Sequence, residues 1–283
     1  MATTSIRGVS LFVKVIGNGY PLALMHGGPG LDHVSLLALE PCADQLTLIF
    51  YDHRCSGRSE GAELDSMTWE NLTADAEALR QELGFEHWAV LGQSFGGNVA
   101  LEYALRYPQS LSRLILMDTG GDQWWVEHNA PELLAKRGYS AGAVQAARRF
   151  YSGQLTPGEY LTTVMKFMTA YNYNNSLPML VHEFLSQWHA KMRPEALIHG
   201  YRELLKDWTV MDRLSEIKVP TLVVAGRHDF LFPPEHQAIL TAKIPDARLV
   251  IIERAGHNPQ LEQPAEVIRV VRDFMAEGLP VPA

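Results

Sequence analysis

Three side chains in this sequence, Ser94, Asp229 and His257, have the types and placement that nucleophilic acyl transfer requires. A serine hydroxyl is a poor nucleophile near neutral pH. It needs a base to take its proton and a carboxylate to hold that base in the working tautomer. Ser94 stands in Gly92-Gln93-Ser94-Phe95-Gly96, a G-x-S-x-G element between a short apolar run at 88–91 and a helix-forming run at 98–105. In a strand, tight turn, helix context the serine sits on a strained backbone with its hydroxyl exposed, and the flanking glycines let neighbouring elements pass without a Cβ clash. His257, in Arg254-Ala255-Gly256-His257-Asn258-Pro259, lies between the last strand-like and last helix-like runs and is the candidate base. Asp229, in Gly226-Arg227-His228-Asp229, follows another strand-like run and is the candidate acid. The chain order of nucleophile, acid and base is the one expected of such an elbow. Asp118, at the end of the apolar run 111–117, is the alternative acid.

Acyl transfer also builds an oxyanion, which fixed backbone N–H groups stabilise by a few kcal/mol. The N–H of Phe95, at the start of the helix after the nucleophile, is one expected donor. Gly28, in His26-Gly27-Gly28-Pro29-Gly30, is the other, because a glycine run lets backbone approach the substrate closely. That loop lacks the Gly-Lys-Ser/Thr ending of a phosphate-binding loop.

These residues need a scaffold that brings distant loops to one edge. Strand-like runs at 9–17, 21–25, 46–51, 88–91, 111–117, 220–225 and 248–253 alternate with helix-like runs at 31–43, 68–83, 98–105, 235–243 and 264–277. Asn18-Gly19 reads as a turn between the first two strands. Alternation of this kind predicts a mostly parallel sheet with helices on both faces and ligands beyond the carboxyl ends of the strands. Between Gly120 and about Arg213 the strand signal stops and helix-like patterns rich in Trp, Tyr, Met and His take over. The expected organisation is therefore an α/β core, 1–119 and 214–283, interrupted by a helical cap, 120–213, with a frayed tail at 278–283.

The bulk properties narrow the function class. A chain of 283 residues can bury a large core, and its net charge of −8, with no basic run, argues against a nucleic-acid partner. No apolar stretch resembles a signal-peptide core or a membrane span, so a cytoplasmic, soluble protein is expected. Cys42 and Cys55 are too few for a disulfide framework and lack metal-ligand spacing, and there is no H-E-x-x-H. No metal site is expected from these residues, and oligomeric state is not readable.

With these residues in place, the sequence resembles the α/β-hydrolase superfamily over essentially its whole length. Within it, His26-Gly27-Gly28-Pro29-Gly30, Asp52-His53-Arg54-Cys55-Ser56-Gly57-Arg58-Ser59 and Gly92-Gln93-Ser94-Phe95-Gly96-Gly97 look like the proline iminopeptidase branch. The resemblance implies an eight-stranded, mostly parallel sheet, a triad of Ser94, Asp229 and His257, no cofactor, and release of an N-terminal proline or similar small residue from short peptides. Two positions depart from it. Cys55 stands where the family usually has glycine, either as a reactive thiol near the entrance or as a packing substitution. Phe230 follows Asp229 where some iminopeptidases carry an acid for the substrate's amine.

A buried ammonium needs a paired carboxylate, and the cap offers Glu127, Glu183, Glu195 and Glu203. Trp124, Trp125, Trp188 and Trp208 would equally suit a small uncharged ester or lactone, which makes a carboxylesterase or lactonase the alternative. Hydrolysis of a carbon–carbon bond can use the same triad, and a non-hydrolytic binding protein is the reading from a different class. Dehalogenase and epoxide hydrolase chemistry is disfavoured because it needs a carboxylate at position 94.

Overall fold

The computed structural model describes residues 2–186 and 188–277, so the tail at 278–283 lies outside the described residues. Strands β1 (Ala2–Ile6), β2 (Val9–Ile16), β3 (Tyr20–Met25), β4 (Leu46–Tyr51), β5 (Trp88–Gln93), β6 (Leu111–Met117), β7 (Thr221–Gly226) and β8 (Ala247–Ile252) form one sheet. Its order is β1-β2-β4-β3-β5-β6-β7-β8. The β1–β2 and β2–β4 pairs are antiparallel, and every other neighbouring pair is parallel.

Helix α1 (Trp69–Glu82) joins β4 to β5 and α2 (Phe95–Arg106) joins β5 to β6. A helical region is inserted between β6 and β7: α3 (Trp124–Lys136), α4 (Ala141–Tyr151), α5 (Tyr160–Val164), α6 (Leu177–Ser186) and α7 (Pro194–His199). The last of these runs into a π-helical turn, Gly200–Leu204. Helix α8 (Pro234–Lys243) then connects β7 to β8, and α9 (Pro259–Glu262) and α10 (Pro264–Ala276) follow.

Strands buried on both faces read as continuous apolar runs, and β4, β5 and β7 are buried along their entire length. Alternate residues still divide by face. Ala23, Met25, Ile49, Val90, Leu116 and Val223 pack with Leu72, Ala76 and Leu79 of α1 and with Val99, Ala100 and Tyr103 of α2. Leu22, Leu24, Leu48, Leu91, Met117 and Val224 face the other way, onto Leu36 and Leu39 of a 3-10 segment (His33–Asp44) and Val267, Val271 and Phe274 of α10. Each fully buried leucine contributes about 2 kcal/mol by leaving water. Thr68 starts α1 as expected, its side chain accepting the Asn71 N–H at 3.1 Å.

Two features differ from the sequence reading. Strand β1 has a polar Thr-Thr-Ser centre and no strong apolar signal, yet it pairs with β2 around Arg7 and Gly8, both at positive φ as a tight hairpin turn demands. The Asn18-Gly19 turn makes no hairpin, because β4 pairs between β2 and β3. Among the described residues no helix is long and apolar enough to cross a membrane.

Candidate active site

The parallel strands deliver Ser94, Asp118, Asp229 and His257 to one edge, beyond the ends of β5, β6, β7 and β8. Ser94 adopts φ 53° and ψ −123°. Such a conformation costs a non-glycine residue about 1–3 kcal/mol and persists only where the surroundings over-determine it. Here Ser94 N–H donates to Met117 O at 3.0 Å, Thr119 Oγ1 donates to Ser94 O at 2.7 Å, and α2 starts at the next residue. A Cβ on Gly96 would collide with the Met25 carbonyl, and one on Gly92 with the Gly96 carbonyl. Glycine at both positions is thus what lets β5, the turn and β3 pass one another.

The structure brings the three predicted residues into one hydrogen-bonded line. His257 Nε2 lies 3.0 Å from Ser94 Oγ, and His257 Nδ1 lies 2.9 Å from Asp229 Oδ2. A carboxylate can only accept, so Nδ1 carries the imidazole proton and Nε2 presents a lone pair to the serine hydroxyl. The Leu231 N–H fixes the other Asp229 oxygen at 2.8 Å. Burial alone would raise the Asp229 carboxyl, but its electrostatic interaction and hydrogen bond with His257 bring it below its ordinary value. Asp118 is also fully buried, but its Oδ1 accepts the Gly226 N–H at 2.8 Å.

Beside the nucleophile runs the glycine loop. A Cβ on Gly27 would stand 3.1 Å from Ser94 Cβ, and Gly28 takes φ 58°, a left-handed conformation that suits glycine. The Phe95 N–H opens α2, where the first N–H groups have no helical acceptor. Below the loop, His26 Nδ1 donates to Gly27 O at 2.9 Å while Nε2 accepts the His53 N–H at 3.1 Å, which defines a neutral ring. Burial lowers the affinity of His26 for a second proton. Loop 52–59 braces this arrangement: Ser56 Oγ accepts the Gly30 N–H at 2.9 Å, and Arg54 makes a buried two-point pair with Asp75 of α1, 2.7 Å at each contact. Cys55 is buried at φ 60°, in the left-handed region, with Sγ 3.3 Å from Glu63 O and its thiol pushed up by burial. Packing, and not an exposed reactive thiol, describes it.

Several residues the sequence did not flag tie the inserted helices to this edge. The His257 N–H donates to Tyr171 O at 2.7 Å, and the Tyr171 and Phe232 rings pack against the imidazole at 5.4 and 5.9 Å between centroids. Glu262 of α9 accepts the N–H groups of Tyr173 and Asn174, both at 2.9 Å, and that of Gly256 at 2.6 Å. On the opposite side Asp32 receives Arg58 and the Lys191 N–H, both at 2.6 Å. No sequence signal marks Glu262, whose acceptor role exists only once residues some ninety positions apart meet. Glu262→Ala should remove the charged acceptor of three N–H groups, two of them open to water, and destabilise the fold by about 2 kcal/mol. Amide exchange at Tyr173 and Asn174 should rise with it; exchange unchanged from wild type would show that Glu262 clamps nothing.

Of the proposed amine-binding carboxylates, Glu195 and Glu203 are exposed, and Glu127 is half-buried with its carboxyl raised by burial. The Glu183 side chain lies outside the described residues. Trp208 is buried and donates through Nε1 to Glu102 Oε1 at 2.8 Å, Trp125 donates to Leu231 O at 2.9 Å, and Trp124 and Trp188 are exposed. Phe230 is fully buried, its ring 5.2 Å from that of Tyr171, in an aromatic cluster with Phe150, Tyr151 and Phe167.

Comparison with known proteins agrees with this architecture. The proline iminopeptidase of Saccharolobus solfataricus is 27% identical, covering 95% of this chain and 90% of its own. A 2-hydroxy-6-oxononadienedioate/2-hydroxy-6-oxononatrienedioate hydrolase of Comamonas testosteroni is also 27% identical, over 98% and 96%. The crystal structure of Mycobacterium smegmatis proline iminopeptidase superposes with a TM-score of 0.77 at 27% identity, over 97% of each chain. Residues 20–264 match the family described as the alpha/beta hydrolase fold. This span takes in the elbow, the glycine loop, Asp229 and His257, and the chain belongs to the alpha/beta hydrolase family.

Proposed function

We propose that this protein is a serine hydrolase working through an acyl-enzyme on Ser94, with residues 120–213 as a cap over the site. The observation that carries the reading is the line from Ser94 Oγ through His257 to Asp229, with links of 3.0 and 2.9 Å. As Oγ bonds to the substrate carbonyl carbon, its proton passes to Nε2, and the oxyanion takes hydrogen bonds from the Phe95 and Gly28 N–H groups. Collapse breaks the bond to the leaving group, which takes that proton from His257. Water then repeats the sequence and frees Ser94.

For the substrate, release of an N-terminal proline or similar residue from a short peptide is supported by the glycine loop and by the iminopeptidase relatives. A small uncharged ester or lactone is the second reading, favoured by the Tyr171 and Phe232 rings against His257 and by the buried Phe230. Such walls offer no carboxylate to pair with an ammonium group. Matched assays of a prolyl arylamide, short-chain aryl esters and a 2-hydroxy-6-oxo-dienoate separate the possibilities. Cleavage of the arylamide is the expected result. Ester turnover without amide cleavage would replace the peptidase reading, and cleavage of the dienoate alone would move the reaction to a carbon–carbon bond. No turnover together with no labelling of Ser94 by a fluorophosphonate would overturn the hydrolase reading itself.

A further inference from the structure

Asp118 is a fully buried carboxyl group that the acyl-transfer steps do not use. It follows β6 at φ 45°, in the left-handed region, with its N–H on Val224 O at 2.9 Å. One oxygen, Oδ1, is satisfied by the Gly226 N–H, but Oδ2 finds no donor. Its neighbour across the end of β7 is Asp229: Gly226, which donates its N–H to Asp118 Oδ1, accepts the Asp229 N–H on its own carbonyl at 3.1 Å, and the two carboxyls interact. Two carboxylates can only repel, whereas a carboxylic acid beside a carboxylate makes a short, strong hydrogen bond.

We propose that Asp118 is a positioning residue whose buried carboxylic acid donates its proton to Asp229, extending the Ser94, His257, Asp229 line by a fourth member. The surroundings agree on which partner carries the proton. Asp229 faces His257, and Arg137, at the C-cap of α3, feels the Asp229 charge. Burial first, and the negative charges of Asp229 and Glu262 after it, push the Asp118 carboxyl well above the ordinary range against the opposing Gly226 hydrogen bond. The neutral acid then does two things for Asp229. It fills an acceptor position that burial would otherwise leave empty, and it pins the carboxylate so that Oδ2 stays aimed at Nδ1 of His257. This assigns Asp118 a role distinct from that of substitute acid, because its effect on His257 passes through Asp229.

The inference rests on the proposed roles of Ser94, His257 and Asp229, and its test has an arm that needs no substrate. The imidazole titration of His257, followed by NMR, is compared among wild type, Asp118→Asn and Asp118→Leu. Asparagine keeps both an acceptor for Gly226 and a donor for Asp229, so its midpoint should stay within about 0.3 unit of wild type and its kcat within about threefold. Leucine removes the donor and leaves Asp229 more basic, so the midpoint should rise and kcat fall about tenfold. Were Asp118 ionised, Asp118→Asn would remove a nearby negative charge and lower the midpoint by about one unit, which would overturn the proposal. An asparagine variant as slow as the leucine one would also overturn it, as would a leucine variant with wild-type titration and rate. Should the leucine variant fail to fold, the asparagine titration alone decides. A hydrolase that proves inactive on every substrate leaves the titration result standing, so the two failures are distinguishable.

Discussion

Replacing Ser94 with alanine is expected to lower kcat by at least about 10,000-fold while the protein unfolds at nearly the wild-type temperature. In the proposed mechanism the hydroxyl removed is the one that bonds to the substrate. Of the two rings that pack against the imidazole, Tyr171 has its hydroxyl engaged with that of Tyr151 at 2.8 Å and Phe232 carries none. The fold should survive because the Ser94 backbone is held by its own N–H and carbonyl, through Met117 and Thr119, and not by the hydroxyl. Steady-state turnover on the best substrate, paired with a thermal melt, checks both halves. A variant keeping a tenth of its activity would mean the chemistry runs elsewhere.

Asp229→Asn should cost nearly as much, about 10,000-fold in kcat, by a different route. The asparagine amide would turn its NH2 toward His257 Nδ1, making that nitrogen the acceptor and moving the imidazole proton to Nε2. A protonated Nε2 facing Ser94 Oγ cannot take the serine proton. Shape and hydrogen bonding to Leu231 are preserved, so the loss reports the tautomer and not misfolding. A modest loss, tenfold or less, would show that the base does not depend on this carboxylate. Fluorophosphonate labelling rates provide a second readout, because they measure the nucleophilicity of Ser94 without a leaving group to protonate.

Much of this was legible in the sequence because the informative residues answer to local rules. Gly92 and Gly96 are forced by backbone passing backbone, so the elbow announces itself in five residues. The interior strands are continuous apolar runs and the crossover helices have one apolar stripe, which made β3 through β8 readable. What failed depends on pairing between distant segments. Residues 2–6 carry no apolar alternation and become β1 only because β2 offers an edge. The turn at Asn18-Gly19 looks like a hairpin until β4 takes the place beside β2. Between the two aspartates that follow strands, Asp118 and Asp229, the sequence reading favoured Asp229, which stands 2.9 Å from His257 Nδ1. Glu262, Tyr171 and Arg58 act across gaps of tens of residues, so their roles exist only in three dimensions.

The collisions that a side chain at Gly92 or Gly96 would suffer have a practical meaning for anyone wishing to redesign this enzyme. At both positions the obstacle is main chain, which no change of a neighbouring side chain can clear. A mutational library spread evenly over the chain would waste its members there. The Glu195, Glu203, Trp124 and Trp188 side chains face solvent, and substitution of such groups is ordinarily tolerated within about 0.5 kcal/mol. Selection for a new substrate therefore has its freedom at solvent-facing positions of the inserted region and not at Tyr171, whose carbonyl and ring hold His257.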